Sequence, residues 1–108
     1  MDKELKRGLL EYCALAAIRD GESYGYQMLK DIRPYIHIAE SSLYPIMRRL
    51  EDAGMLTVRL EEHNCRLRKY YRITEGGLKK LEEFHNDWKE LLAVYEFVTR
   101  KEKKDDEA

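Results

Sequence analysis

Residues 39–56, "AESSLYPIMRRLEDAGML", set hydroxyls, a phenol and two guanidinium groups at helical spacing. Leu43, Ile46, Met47, Leu50 and Ala53 follow the i, i+3, i+4, i+7 rule and make one apolar stripe. At about 100° per residue, Ser41, Tyr44, Pro45 and Arg48 fall on the opposite face, with Arg49 on the flank. Proline is tolerated in a first turn, where its missing N–H has no partner, so Pro45 is expected there. Ser41 or Ser42 is expected to cap that turn, and Gly54 to take the left-handed position that ends the helix. Hydroxyls at the positive end of a helix dipole attract phosphates, and arginine binds the O6 and N7 of guanine in a bidentate way. This face has what a DNA-reading helix needs. The same residues also suit an ordinary surface helix with solvated arginines.

A second basic feature follows. "MLTVRL" alternates, with Leu56, Val58 and Leu60 on one face and Thr57 and Arg59 on the other. "EEHNCR" reads as a polar turn, and "LRKYYRIT" alternates again, Lys69, Tyr71 and Ile73 opposing Arg68, Tyr70 and Arg72. Two alternating runs around a short loop predict a β-hairpin. Its tip carries Arg66, Arg68 and Lys69, placed to meet a phosphate backbone.

The elements that must position these residues are helical. Residues 4–19 read as a helix that is apolar nearly all round from Leu9 to Ile18, which predicts burial on more than one side. Ser23 is the expected N-cap of a second helix over residues 24–33, with Tyr24, Met28, Leu29 and Ile32 inward and Pro34 as its stop. Helix, helix, helix, hairpin is the order of a winged helix-turn-helix. Thr74 then caps a last helix, in which Leu78, Leu81, His85, Trp88, Leu92 and Tyr95 are spaced 3, 4, 3, 4, 3, a heptad seam widened by Phe84, Leu91 and Val98. A head this small cannot cover so long a stripe, and a symmetric partner could. The expected dimer contacts are Leu9, Leu81, Phe84, Trp88, Leu91, Leu92 and Tyr95. The expected fold class is therefore mainly α with a small β-hairpin (α+β): a winged helix-turn-helix domain at 1–74, a dimerisation helix at 75–98 and a disordered charged tail at 99–108.

Composition bounds the function. At 108 residues one domain is the default. The net charge is −1, but its distribution is uneven: residues 1–40 sum to −1, residues 41–74 to +3 and residues 75–108 to −3. Binding depends on local potential, so the positive middle third matters more than the total. No apolar run reaches the length of a membrane span, and no apolar signal segment follows the charged first residues, so a cytoplasmic protein with no membrane partner is expected. Cys13 and Cys65 are far apart and form no CxxC; both are expected as thiols, Cys13 buried. There is no Ser-His-Asp set, no phosphate-cradling loop and no metal-ligand spacing, so neither an enzyme, a cofactor nor a metal site is expected.

The chain resembles the PadR family of bacterial transcriptional regulators. The carriers are "YGYQ" at residues 24–27, "SSLYPIMRRLEDAGML" at 41–56, "RKYYRITEGG" at 68–77 and Trp88. The resemblance implies a dimeric winged-helix repressor on a near-palindromic double-stranded DNA operator, with Ser41, Ser42, Tyr44, Arg48 and Arg49 at the major groove or its flanking phosphates. It implies that Arg68 and Lys69 sit in the wing. In multidrug-sensing relatives a tryptophan on the C-terminal helix faces its dimer mate across a pocket. The resemblance places Trp88 there, with His85, Leu92, Tyr12 and Ala16 as neighbours, and implies a small planar aromatic or cationic compound as effector. The residues themselves leave Trp88 either as an interface anchor or as a stacking platform. Three positions depart from the family pattern: Arg66 and Leu67 in the wing, where glycine and a second basic residue are usual, and Ser42 in place of threonine. Leu92 is apolar where some drug-binding relatives carry an acid, which weakens the case for a cationic ligand and leaves neutral aromatics open. The alternative reading is a dimeric adaptor that binds proteins through its winged head, without sequence-specific DNA.

Overall fold

The apolar stripes of the first three helices and the inner face of the sheet meet in one buried cluster, which the stripe of the last helix touches only at Leu81. The computed structural model describes residues 1–100, and the expected tail at 99–108 therefore lies almost wholly outside the described residues. The order is α1 (Lys3–Ala17), β1 (Ser23–Tyr24), α2 (Gly25–Ile32), α3 (Glu40–Asp52), β2 (Leu56–His63), β3 (Arg66–Ile73) and α4 (Glu75–Thr99). The strands form one antiparallel sheet in the order β1-β3-β2. Leu10, Ala14 and Leu15 from the first helix, with Ile18 at its C-cap, meet Met28, Leu29 and Ile32 from the second and Leu43, Ile46, Met47 and Leu50 from the third. Leu56 and Tyr71 close the cluster from the sheet, and Ile38 from the connector.

Several expectations are corrected by contacts distant in sequence. Ser23 does not cap α2; it is buried and pairs with Tyr71, and Tyr24 pairs with Tyr70, because this short stretch adds a third strand to the hairpin. Tyr24 is consequently not an inward residue of α2, which starts at Gly25. Neither Ser41 nor Ser42 caps α3: the N-cap position is Ala39, without a side-chain hydrogen bond. Both serines lie inside the first turn, and Pro45 falls in the second. Its missing N–H leaves the Ser41 carbonyl without an i+4 donor, a loss that water can offset because Ser41 is exposed. Ala53 is exposed rather than part of the stripe, since it is already the C-cap.

The end of α3 follows the Schellman pattern. Gly54 has φ +78°, its N–H donates to the Glu51 carbonyl at 2.9 Å, and the Met55 N–H donates to the Leu50 carbonyl at 2.8 Å. The hairpin strands are longer than expected. The turn is Asn64-Cys65 alone, with φ of 51° and 65°, the two left-handed residues that match strand twist in a two-residue connection. Leu60 is exposed, because β2 runs past the edge of the core beyond Val58.

Thr74 ties the next junction. Its Oγ1 accepts from the Gly77 N–H at 3.2 Å and donates to the Gly54 carbonyl at 2.6 Å, while its own N–H donates to the Met55 carbonyl at 3.0 Å. One hydroxyl thus caps α4 and holds it to the end of α3. Thr74→Ala removes both side-chain bonds and is expected to cost about 1–2 kcal/mol of unfolding free energy in urea. A change under about 0.5 kcal/mol would show that the junction does not depend on this hydroxyl.

Candidate nucleic-acid interface

The outer face of α3 is built as the sequence proposes: Ser41, Ser42, Tyr44, Arg48 and Arg49 are all exposed. They do not all point the same way. Arg49 leans back to α1, where its Nη2 lies 3.3 Å from Glu11 Oε2. Arg48 takes part in no ion pair among the described residues.

Tyr44 has a structural partner that the sequence did not reveal. Its ring packs across Gly25, the first residue of α2, so closely that a Cβ at Gly25 would collide with the phenol. Beside it opens a groove of about 670 Å³. Tyr24, Gly25 and Tyr44 form one wall, and Arg66, Arg68 and Lys69 of the hairpin form the other. The hairpin cations and the α3 phenol are thereby brought together, whereas Ser41, Ser42 and Arg48 lie outside the groove, further along the same exposed helix face.

Arg68 is the cation whose seat is defined. Its guanidinium lies 4.0 Å from the centre of the Tyr24 ring, and Nη1 donates to the Tyr70 hydroxyl at 3.4 Å. Tyr24 and Tyr70 meet edge to face at 5.8 Å, and Arg59 lies 4.6 Å over the other ring of that pair, Tyr70. Arg59 is in turn held by Glu22, through Nε at 3.0 Å and Nη2 at 2.5 Å, and by Glu61. Hydrogen bonds from Arg59 hold the Glu22 carboxyl below the usual carboxylate range, against a smaller opposing effect of burial. Burial pushes the Tyr71 phenol up, helped by Tyr44 and Glu51 nearby. Glu22, Tyr24, Gly25, Arg59 and Tyr70 are members of this surface that sequence reasoning missed. The "YGY" run was visible, but its pairing with the hairpin was not.

A second candidate site lies between α1 and α4. Tyr12, Ala16, His85 and Trp88 share the lining of a groove of about 490 Å³. Leu92 does not line it and sits one turn further along α4, exposed. Phe84 takes the central place: its ring is 4.6 Å from Tyr12 and 6.2 Å from Trp88. The groove continues along α1 into a second hollow of about 510 Å³ with Leu5, Gly8, Leu91 and Val94. Of the expected dimer contacts, Leu9, Leu81 and Phe84 are half-buried within the chain, while Trp88, Leu91, Leu92 and Tyr95 are exposed. Burial raises the Cys13 thiol, which is half-buried beside this groove; Cys65 is exposed at the hairpin turn. Among the described residues no three His, Cys, Asp or Glu side chains gather as metal ligands, and no helix is long and apolar enough to cross a membrane.

Comparison with known proteins places the chain among transcriptional regulators. The model of the transcriptional regulator PadR-like family matches residues 14–83. The chain is similar to a solved transcriptional regulator from Clostridium thermocellum, with 29% identity, TM-score 0.81 and coverage of 93% of this chain and 99% of that one. It is similar to a PadR family transcriptional regulator from Eggerthella lenta, with 36% identity, TM-score 0.80 and coverage of 91% and 88%. It is also similar to Bacillus subtilis PadR solved in complex with operator DNA, with 26% identity, TM-score 0.66 and coverage of 69% of this chain and 45% of that one.

The Gly25–Tyr44 contact can be tested by a double-mutant cycle. Gly25→Ala alone is expected to destabilise by about 1–3 kcal/mol through overpacking. In a Tyr44→Ala background it should be neutral or stabilising, a coupling above about 1 kcal/mol in denaturant unfolding. Additive effects would mean that the two residues do not constrain each other.

Proposed function

The chain belongs to the PadR-like family of transcriptional regulators, and we propose that it is a cytoplasmic, homodimeric repressor that binds a near-palindromic DNA operator. The observation that carries this reading is the outward face of α3, with Ser41, Ser42, Tyr44 and Arg48, set beside a groove whose far wall is Arg66, Arg68 and Lys69. In this reading α3 enters the major groove, the hairpin is the wing, and phosphate contacts from the wing fix the register in which α3 reads bases. The two serine hydroxyls are not engaged in capping, which leaves them for phosphates or base edges. The operator complex of the Bacillus subtilis relative supports the assignment of DNA as partner.

The dimer follows from α4. A stripe of Trp88, Leu91, Leu92 and Tyr95 is exposed on a single chain, and apolar surface of that extent on a regular helix calls for a partner. A second copy would cover it and place two α3 helices about one turn of DNA apart. The aromatic groove of Tyr12, Phe84 and Trp88 opens toward that partner, which makes it the seat for a planar aromatic effector. Such a ligand changes operator affinity only as far as it binds the two head spacings differently.

Arg48→Ala is expected to weaken operator binding by about 1–3 kcal/mol and to relax preference at one base position. Fluorescence anisotropy on a duplex selected from a random library measures this, and unchanged affinity would remove Arg48 from the interface. Trp88 is the sole tryptophan and is 48% exposed in the single chain. In the dimer its emission should be that of a buried indole, shift to the red on dilution, and be quenched saturably by a planar aromatic compound. A concentration-independent spectrum would count against the dimer. A flat ligand titration would leave Trp88 as an interface anchor.

A further inference from the structure

The outer face of the sheet carries a continuous chain of contacts that starts outside the DNA-facing groove and ends inside it. Glu22 lies in the turn before β1 and grips Arg59 of β2 through two nitrogens. Arg59 covers Tyr70 of β3, Tyr70 meets Tyr24 of β1 edge to face, and Tyr24 carries Arg68 on its face. The Arg68 guanidinium closes the chain by donating to the Tyr70 hydroxyl. Neither Glu22 nor Arg59 lines the groove, whereas Tyr24 and Arg68 do. The contacts also bridge two parts of the head. β1 leads directly into α2, while Arg59, Arg68 and Tyr70 belong to the hairpin, which otherwise projects beyond the core.

We propose that Glu22 and Arg59 are positioning residues for operator recognition: acting through Tyr70 and Tyr24, they fix the angle of the hairpin and hold the Arg68 guanidinium at the mouth of the groove. The inference rests on the DNA-binding reading and specifies how its wing is made rigid. A two-stranded ribbon twists readily, and a cation at the end of a free ribbon would contact any phosphate within reach. A cation fixed relative to α3 contacts only the phosphate that the correct base register presents. Rigidity here converts a non-specific attraction into a contribution to specificity.

Charge alone predicts the opposite result for one substitution, which makes the proposal testable. Glu22→Gln removes a negative charge, so a purely electrostatic surface would bind every DNA equally well or better. Loss of positioning instead lowers affinity for the operator while leaving or raising affinity for other DNA. The experiment compares wild type and Glu22→Gln on a duplex selected by wild type from a random library and on a scrambled duplex of the same composition. The thermal midpoint and the amide exchange of residues 59–70 are followed in parallel. The ratio of the two affinities should fall about fivefold, the scale of a single surface contact. The thermal midpoint should stay near that of wild type, and hairpin amides should exchange faster than those of the helices. A preserved ratio with faithful selection by wild type would overturn the positioning role alone. No sequence enrichment by wild type would overturn the DNA reading and this inference with it.

Discussion

The hydroxyl of Thr74 joins the two helices on which everything else depends. The left-handed Gly54 turns the chain out of α3, and its carbonyl accepts from that hydroxyl at 2.6 Å. Three residues later the Gly77 N–H donates to the same oxygen, and a side chain at Gly77 would run into the Met55 carbonyl and Ile73. The start of α4 is therefore pressed against the backbone that leaves α3. These bonds join the two helices directly, with the whole hairpin looped out between them. In the proposed dimer this is the shortest covalent and hydrogen-bonded route between the helix that pairs and the helix that reads DNA. In the proposed dimer a rotation of α4 would be passed to α3 through this junction.

α1 supports both halves. Leu10, Ala14, Leu15 and Ile18 face the head, and Leu9, Tyr12 and Cys13 face toward α4. Its nearly all-round apolar character follows from that double duty. The aromatic groove is shared between this helix and Leu81, Phe84 and Trp88 of α4, so it exists in the single chain. A half-formed pocket of this kind reduces the ordering cost of binding a planar ligand, because two of its walls are already in place.

What was legible in the sequence was periodic or capped. The stripe Leu43, Ile46, Met47, Leu50 located α3, Gly54 located its end, Thr74 located the start of α4, and alternation located the hairpin. What was not legible depended on residues far apart in the chain. Ser23 has the composition of an N-cap, but pairing with Tyr71 outcompetes capping and buries it. Gly25 reads as a poor helix residue until Tyr44 is seen lying across it. Pro45 sits in the second turn because α3 begins at Glu40, and no local signal distinguishes Ala39 as its cap. For the site, the residue types were readable and their companions were not: Arg68 was visible as a wing cation, but its seat on Tyr24 arises only from the third strand.

Ion pairing reconciles a net charge of −1 with the proposed DNA-facing surface. The positive third of the chain has seven basic residues: Arg48, Arg49, Arg59, Arg66, Arg68, Lys69 and Arg72. Three of them have acidic partners within the fold, Arg49 with Glu11, Arg59 with Glu22 and Glu61, and Arg72, at 4.0 Å, with Glu22. The other four have no acidic partner within ion-pair distance among the described residues. Those four lie on the outer face of α3 and along the hairpin wall of the groove. The acids in this region thus pair with cations outside the groove and spare Arg48 and the three that line the hairpin wall. Two copies would present about eight such cations, within the range of phosphate contacts that makes protein–DNA affinity steeply dependent on salt. A near-neutral chain can therefore carry a strongly positive working surface, provided the fold sorts its arginines by partner.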